Sequence, residues 1–242
     1  MLQQVKAEYQ KLVTIRSTYV ILAICLALTA FISFYVIGYR QALPASSPRM
    51  IQDVITALLP NLVLLVSLVG ILLVTHEYRY NTIMYTLTSS NSRLRVLLAK
   101  LLVVSCFTII ASLALAAIAA LLTYAGAQTK GVEVVAQSIP YADLLWRFAF
   151  FSWGFAMFGL LFAYIIRSQV GTIIAFIVLP DILTGLLSLL LKENTVYVPF
   201  SALGEVLRPG QFTPAKAATV VGIYLVVGWA VAAYLFKKRD AN

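Results

Sequence analysis

Residues 101–124 read LLVVSCFTIIASLALAAIAALLTY, a stretch of 24 residues without a charged side chain. An α-helix of about 20 apolar residues crosses the roughly 30 Å hydrocarbon core of a bilayer. Five further apolar stretches of similar length occur at 19–38, 54–75, 148–166, 170–191 and 217–236. The sequence therefore predicts an all-α integral membrane protein with six transmembrane helices.

The overall composition supports a membrane protein and excludes several soluble classes. Of 242 residues, 62% are hydrophobic and 11% are charged, whereas soluble domains are about 45–50% apolar and about 25% charged. The net charge is +9, but no basic soluble segment is present, so we expect contact with membrane lipid and not with nucleic acid. No linker is long enough to separate two domains, and residues 1–242 are predicted to form a single transmembrane domain.

The segment before the first apolar stretch, residues 1–18, has helical periodicity. Leu2, Val5, Tyr9 and Leu12 recur on one face, and polar side chains, Glu8 among them, are expected on the others. This pattern predicts an amphipathic helix in the membrane interface. It is not typical of a signal peptide, because the apolar stretch that follows exceeds the 7–15 residues of such a segment.

Basic residues favour one orientation in the membrane. Cytoplasmic termini would place eleven Lys and Arg residues inside and seven outside, in agreement with the tendency of cytoplasmic loops to carry basic residues. The inside set is Lys6, Lys11, Arg16, Arg79, Arg93, Arg95, Lys100, Arg167, Lys237, Lys238 and Arg239, and the outside set is Arg40, Arg49, Lys130, Arg147, Lys192, Arg208 and Lys216. We expect a multi-pass protein of the plasma membrane with both termini in the cytoplasm.

The loop between the second and third spans, residues 76–100, reads HEYRYNTIMYTLTSSNSRLRVLLAK. Asn81 can cap a helix or adopt a left-handed conformation, and residues 82–88 read as a two-turn helix with an apolar stripe. The serines after it can cap the next helix, and Arg93, Arg95 and Lys100 are expected at the membrane face. Composition alone leaves two interpretations open, a docking surface for a cytoplasmic partner and an ordinary interfacial turn.

This loop resembles that of the type-two, exporter-class ABC transporter permeases. The resemblance rests on the segments at 77–79, 81–83, 86–87, 92–93 and 99–101, which follow the pattern E-x-R-x-G-T-I, T-L, P-x-S/R-R and A-K. The amphipathic start and the segment 197–200 are also similar to that family. Asn81 replaces the usual Gly, and Asn91 replaces a common Pro; Asn tolerates positive φ best among non-glycine residues.

The resemblance implies a function and a set of partners. Two permease copies, or one copy and a paralogue, would sit on two copies of an ABC ATPase subunit, and the loop 76–100 would form the coupling helix that contacts the ATPase. The N-terminal amphipathic helix would touch the ATPase as well. The residues implied in the ATPase contact are Glu77, Arg79, Thr82, Ile83 and Leu87, while Arg93 and Lys100 would anchor the helix restart.

The chain itself is not expected to be an enzyme. A phosphate-binding P-loop needs G-x-x-x-x-G-K-[ST]; the nearest match, from Gly126 to Gly131, is followed by Val132 and Glu133. ATP and Mg would therefore be bound by the partner ATPase, with no cofactor in this chain. We expect no metal site, because His76 is the single histidine, and we expect Cys25 and Cys106 to be buried apolar thiols.

Asp181 is the most unusual residue within a predicted span. It follows Pro180 near the middle of the fifth span, where an ionised carboxylate costs about 2.5–3.5 kcal/mol on insertion scales. With Thr184 and Ser188, it could line a transport path or a dimer seam. The alternatives are a structural aspartate, or a span boundary closer to the outer surface.

Residues 192–215 contain three prolines around a short helical stretch at 201–207. This segment could re-enter the membrane and form an outer gate at Pro199 and Phe200, which requires that protein bury its backbone. A surface loop is the alternative.

These observations predict the membrane-spanning subunit of an ATP-driven ABC exporter. Two alternatives remain: a channel or secondary transporter not driven by ATP, and a membrane assembly factor. The sequence does not identify the cargo.

Overall fold

The computed structural model describes residues 2–40, 50–88, 93–132 and 140–238, with the backbone alone for 86–88 and 193. These residues form helices and short connections, and no strand occurs among them. The helices are α1 (Leu2–Thr14), α2 (Arg16–Ala30, continued by the π-helix Phe31–Arg40), α3 (Met50–Asp53, continued by the π-turns Val54–Leu58), α4 (Leu59–Arg79), α5 (Ile83–Thr88), α6 (Arg93–Thr129), α7 (Tyr141–Ile166), α8 (Gln169–Leu191), the 3₁₀-helix Lys192–Tyr197, α9 (Pro199–Leu207) and α10 (Pro214–Lys238).

The six predicted spans are confirmed as six helices long and apolar enough to cross a membrane. The chain is thus an all-α, multi-pass membrane protein. The helices extend beyond the apolar stretches that predicted them. The longest, α6, has 37 residues, which corresponds to about 55 Å at 1.5 Å per residue, so its polar ends project past the hydrocarbon.

The N-terminal segment differs in its boundary from the predicted 1–18. Helix α1 ends at Thr14, because Ile15 takes an extended conformation with φ −72° and ψ 117°. The first span then starts at Arg16. The break lets α1 turn away from α2 and pack against α6 and α4.

Helices α4 and α7 form the centre of the bundle. Their most apolar windows are 56% and 61% buried, whereas that of α8 is 11% buried. The side chains that fill the space between them are aliphatic and aromatic, including Val66, Ile71, Phe148 and Leu160. Because the peripheral helices bury much less, their outer faces are left for lipid or for other proteins.

Helices α2 and α6 approach closely near the end of the first span. A Cβ at Gly126 would lie 2.4 Å from the carbonyl oxygen of Phe34, and one at Gly38 would lie 2.7 Å from that of Thr123. Only glycine fits at such a backbone contact. Gly126 therefore has a packing role, in place of the phosphate-binding role that its spacing from Gly131 could imitate.

Several contacts identify one end of the bundle, which we call the loop end. It carries α1, the loop between α4 and α6, the turn between α7 and α8, and the end of α10. The Arg79 guanidinium donates to the Gln169 side-chain oxygen at 3.0 Å, and Arg93 donates to the backbone oxygens of Phe236 and Lys237 at 3.2 and 3.4 Å. The two ends of the described chain, Leu2 and Lys238, thus lie on the same side of the bundle.

Helix α9 packs beside the middle of α7. The Phe200 ring lies 5.0 Å from that of Phe158 between centroids, and Leu203 contacts Gly154, which is roughly 20 Å along the helix axis from Tyr141 at 1.5 Å per residue. The helix begins at Pro199 and not at residue 201, because proline is well suited to a first helical position. Ala202 and Leu203 are buried, so this side of α9 is covered by protein.

Candidate functional site

The loop after α4 begins with a defined helix end. Asn81 has φ of 53°, as the left-handed prediction requires. The Thr82 N–H donates to the Glu77 carbonyl at 2.9 Å, and the Asn81 N–H donates to the Tyr78 carbonyl at 3.3 Å. These two bonds form a Schellman motif, which ends a helix and fixes the exit direction of the chain. Asn81 therefore fits its left-handed position, and the loop leaves α4 at a set angle.

Four of the five residues predicted to contact an ATPase have described side chains, and these four fall into two groups. Arg79 and Thr82 are exposed at the loop end, whereas Glu77 and Ile83 are 5% and 2% exposed. Leu87 lies in α5, but its side chain is outside the described residues. In this structure the side chains of Glu77 and Ile83 face the interior of the bundle, so they attach the loop to the helices. The outer surface of the loop also includes Met84 and two aromatic side chains that the sequence analysis did not select, Tyr80 and Tyr85, which are 64% and 77% exposed.

Glu77 belongs to a closed ring of four ionised side chains, which we call the charge ring. The Lys100 Nζ contacts Glu8 Oε2 at 2.5 Å and Glu77 Oε1 at 2.9 Å. The Lys11 Nζ contacts Glu8 Oε1 at 2.8 Å and Glu77 Oε1 at 2.5 Å. The ring joins α1, the end of α4 and the beginning of α6, so three segments distant in sequence are held at one point.

The charge ring is deeply buried apart from Lys11. The side chain of Lys100 is 0% exposed, those of Glu8 and Glu77 are 3% and 6% exposed, and that of Lys11 is 35% exposed. Each buried ion faces two charges of opposite sign, which is the condition under which burial of a charge is tolerated. The ring carries no net charge, so it can sit at the edge of the apolar bundle.

The carboxylates of the charge ring raise the pKa of Lys11. Partial burial alone would lower the pKa of Lys11, but the carboxylates of Glu77 and Glu8 outweigh it and hold this pKa above its ordinary value. Lys11 is therefore protonated throughout the physiological pH range. Its contribution to stability is fully present below the unfolded-state pKa of about 10.4 and is lost as the pH rises through the raised folded-state value.

Two members of the ring correct expectations from the sequence. Glu8 was expected on a polar face of α1, but it lies in the buried stripe with Val5 and Leu12. Lys100 was expected at the membrane face, but it is fully buried among Leu97, Val103 and neighbouring apolar residues. The spacing of Glu8 from Val5 and Leu12, three and four residues, was the signal that could have revealed its position.

A groove of about 500 Å³ opens next to the charge ring at the loop end. It is bounded by the end of α1, the last turn of α4 and the start of the loop, and Lys11, His76, Glu77, Tyr80 and Tyr85 are among its lining residues. The two exposed tyrosines stand at its margin. A side chain of a partner protein could enter this groove without rearrangement of the loop.

The membrane-path candidates lie on the outer face of α8. Asp181, Gly185 and Ser188 are exposed on this helix, Thr184 is half-buried, and Pro180 is buried against the bundle. In a bilayer an exposed carboxylate would face hydrocarbon, which is unfavourable unless another protein or a water-filled path covers it. The structure thus brings the three predicted residues onto one helix, at a distance from the loop end.

The gate candidates, Pro199 and Phe200, lie at the start of α9. Phe200 packs against the rings of Phe155, Phe158 and Phe162 on α7. Glu205 stabilises the turn after α9, because its carboxylate accepts the N–H groups of Gly210 and Phe212 at 2.8 and 3.1 Å. The start of α9 is therefore packed against α7.

A comparison of the sequence with models of known protein families gave no match, and a search of curated proteins gave no significant match.

Proposed function

We propose that this chain is the membrane-spanning permease subunit of an ATP-driven ABC exporter of the plasma membrane, with both termini in the cytoplasm. The observation that supports this function best is the charge ring, which joins the N-terminal helix and both sides of the loop between the second and third spans. A loop that transmits motion from a separate ATPase must be held rigidly to the transmembrane helices that it moves. The ring supplies this connection.

In this proposal the force is applied at the exposed surface of the loop. Arg79, Thr82, Tyr80 and Tyr85 would contact the ATPase, and a side chain of the ATPase would enter the groove beside them. Glu77 and Ile83 would act indirectly, by holding the loop to α1 and α6. ATP and Mg would be bound in the separate ATPase subunits, two for each pair of permeases.

The outer face of α8 supports a second copy of the chain, or a paralogue, as partner. Asp181, Thr184 and Ser188 would line the seam or the path between the two copies. Displacement of the loop end would then change the contact along α8, which is a rigid-body change biased by nucleotide binding elsewhere. Pro199 and Phe200 would close the path at its outer end.

A site-specific photocrosslinker tests the ATPase contact. Benzoylphenylalanine at Tyr85 should crosslink an ATPase subunit in membranes of cells that express the chain. The matched control is the same residue at Tyr197, which is 43% exposed at the opposite end of the bundle. Equal crosslinking at both positions, or none at position 85 in an intact complex, would contradict the proposal.

Disulfide formation between copies tests the contact along α8. A Gly185→Cys variant, in a background with Cys106→Ala, should form a covalent dimer on mild oxidation. The matched control is Gly222→Cys on α10, since both glycines lie in span helices and no described atom lies within 4 Å of either Cβ position. A monomer at position 185, or equal dimerisation at both positions, would contradict an α8 interface.

Purification in mild detergent separates the proposed function from the alternatives. An ATPase subunit should copurify and be identified by mass spectrometry. Solute flux into liposomes without nucleotide would favour a channel or secondary transporter. Bound partner proteins with no effect of small molecules on ATP hydrolysis would favour a membrane assembly factor.

A further inference from the structure

An apolar groove with a volume of about 820 Å³ lies between α1, α2 and α6. This volume lies within the range of about 300–1,000 Å³ that is typical of small-molecule sites. The groove follows α6 from Leu102 to Ile118, roughly 24 Å at 1.5 Å per residue. It is therefore long enough to extend across one leaflet, about half of the 30 Å hydrocarbon core.

Small side chains on α6 create the space. Cys106, Ala111 and Ala114 line the groove between bulkier neighbours such as Ile110 and Ile118. Cys106 is exposed, which corrects the expectation that both cysteines are buried. In a bilayer, hydrocarbon and not water fills such a space, because an apolar lining offers water no hydrogen-bond partners.

The mouth of the groove is cationic. Among the lining residues described, Lys6 on α1 is the charged one, and Arg16 starts α2 one turn before Tyr19, which also lines the groove. Both cations are exposed at the loop end. Basic side chains near a membrane surface attract anionic headgroups. A cationic mouth and an apolar interior together fit an amphipathic molecule with an anionic headgroup.

We propose that this groove is a binding site for an anionic phospholipid, with one acyl chain between α2 and α6 and the phosphate at Lys6 and Arg16. The site is independent of the transport function proposed above. A second copy of the chain fits this groove less well, because Lys6 at its mouth favours an anionic headgroup, whereas α8 carries an exposed carboxylate that needs a protein cover. The bound lipid would hold α1 against the bundle along Val5 and Leu12, next to its charge ring contacts.

Photoreactive lipids test the site in the purified protein. Phosphatidylglycerol with a diazirine in one acyl chain should label peptides that contain residues 102–118, about fivefold more than phosphatidylcholine with the same chain. Ala114→Trp fills the groove and should abolish this labelling. Ala117→Trp is the matched control, because Ala117 is exposed on the same helix and does not line the groove.

Lys6→Gln should remove most of the headgroup preference while the acyl-chain labelling persists, whereas Lys237→Gln should have no effect. If Ala114→Trp fails to fold, alkylation of Cys106 in the folded protein fills the same groove, since Cys25 is buried. Equal labelling with both headgroups, labelling spread over all outer helices, or an Ile110→Cys disulfide between two copies would overturn the proposal.

Discussion

Helices α6 and α8 are both long enough and apolar enough to cross a membrane, but they are held very differently. Helix α6 is fixed near its start by Lys100 in the charge ring and near its end by Gly126 against α2. Helix α8 packs through Thr172, Phe176 and Pro180, and its later turns are exposed. Helix α6 is thus fixed at both of its ends, whereas the later turns of α8 are left uncovered by other described residues.

The difference indicates how a six-helix subunit could combine rigidity with movement. Buried ion pairs fix geometry, since an unpaired ion in the same place is costly. The exposed side of α8 imposes no such constraint: its exposed side chains are mostly large aliphatic ones, such as Leu186 and Leu189, with Asp181 among them. The predictions below compare the two helices, from the largest expected effect to the smallest.

Loss of Lys100 should have the largest effect. Lys100→Met leaves the buried carboxylates of Glu8 and Glu77 with only the partly exposed Lys11 as a cation, and we expect a destabilisation of about 3–5 kcal/mol. The midpoint of thermal unfolding in detergent would measure it. Lys237→Met, an exposed lysine at the same end, should change stability by less than about 0.5 kcal/mol. Adding Glu8→Gln to Lys100→Met should recover part of the loss; no recovery would argue against a charge effect.

A pair of glycine substitutions compares the packing of the two helices directly. Gly126→Ala places a methyl group 2.4 Å from the Phe34 carbonyl oxygen and should destabilise by about 1–3 kcal/mol. Gly185→Ala on α8 meets open space and should stabilise by about 0.5–1 kcal/mol through helix propensity. Thermal unfolding of both variants in one detergent is the measurement. Effects of the same sign would show that the two helices are packed alike.

Lys11 should matter less than Lys100, although both contact the same carboxylates. Its side chain is 35% exposed, so solvent screens its ion pairs, and Lys11→Gln should cost about 1 kcal/mol or less. Because the folded-state pKa is raised, the difference between wild type and variant should stay constant from pH 6 to 9. Unfolding midpoints of wild type and variant across this pH range are the measurement. A stability difference that becomes smaller below pH 9 would contradict a raised pKa of Lys11.

Asp181 should have the smallest effect on stability and a clear effect on transport. Asp181→Asn changes an exposed side chain, so the free energy of unfolding of the isolated chain should change by no more than about 0.5 kcal/mol. Under the proposed function, ATP-dependent uptake of copurifying small molecules into inverted vesicles should fall, while the complex still assembles. Unimpaired uptake at normal expression would remove Asp181 from the mechanism.

The sequence was sufficient for features that depend on local patterns. Apolar length predicted the six spans, and the tolerance of asparagine for positive φ gave one of the two roles expected for Asn81, the left-handed conformation that the structure has. Helical periodicity predicted α1 and most of α9. In each case the physical cause lies within a few residues, so a single sequence contains it.

The charge ring could not be predicted in the same way. Glu8 and Lys100 are 92 residues apart, and their pairing depends on how α1 folds back against α6 after the break at Ile15. Periodicity could have shown that each lies in an apolar stripe, but not which partner neutralises it. The groove at Cys106 was missed for the same reason, since three helices form it together.

The separation of Glu8 from Lys100 also affects the order in which the chain is assembled. At synthesis rates of about 5–20 residues per second, Lys100 leaves the ribosome about 5–18 s after Glu8. During that interval the Lys100 partner of Glu8 is absent, so α1 remains at the membrane surface with the Glu8 carboxylate hydrated. The N-terminal helix, although made first, can therefore dock only once the third span has begun to insert.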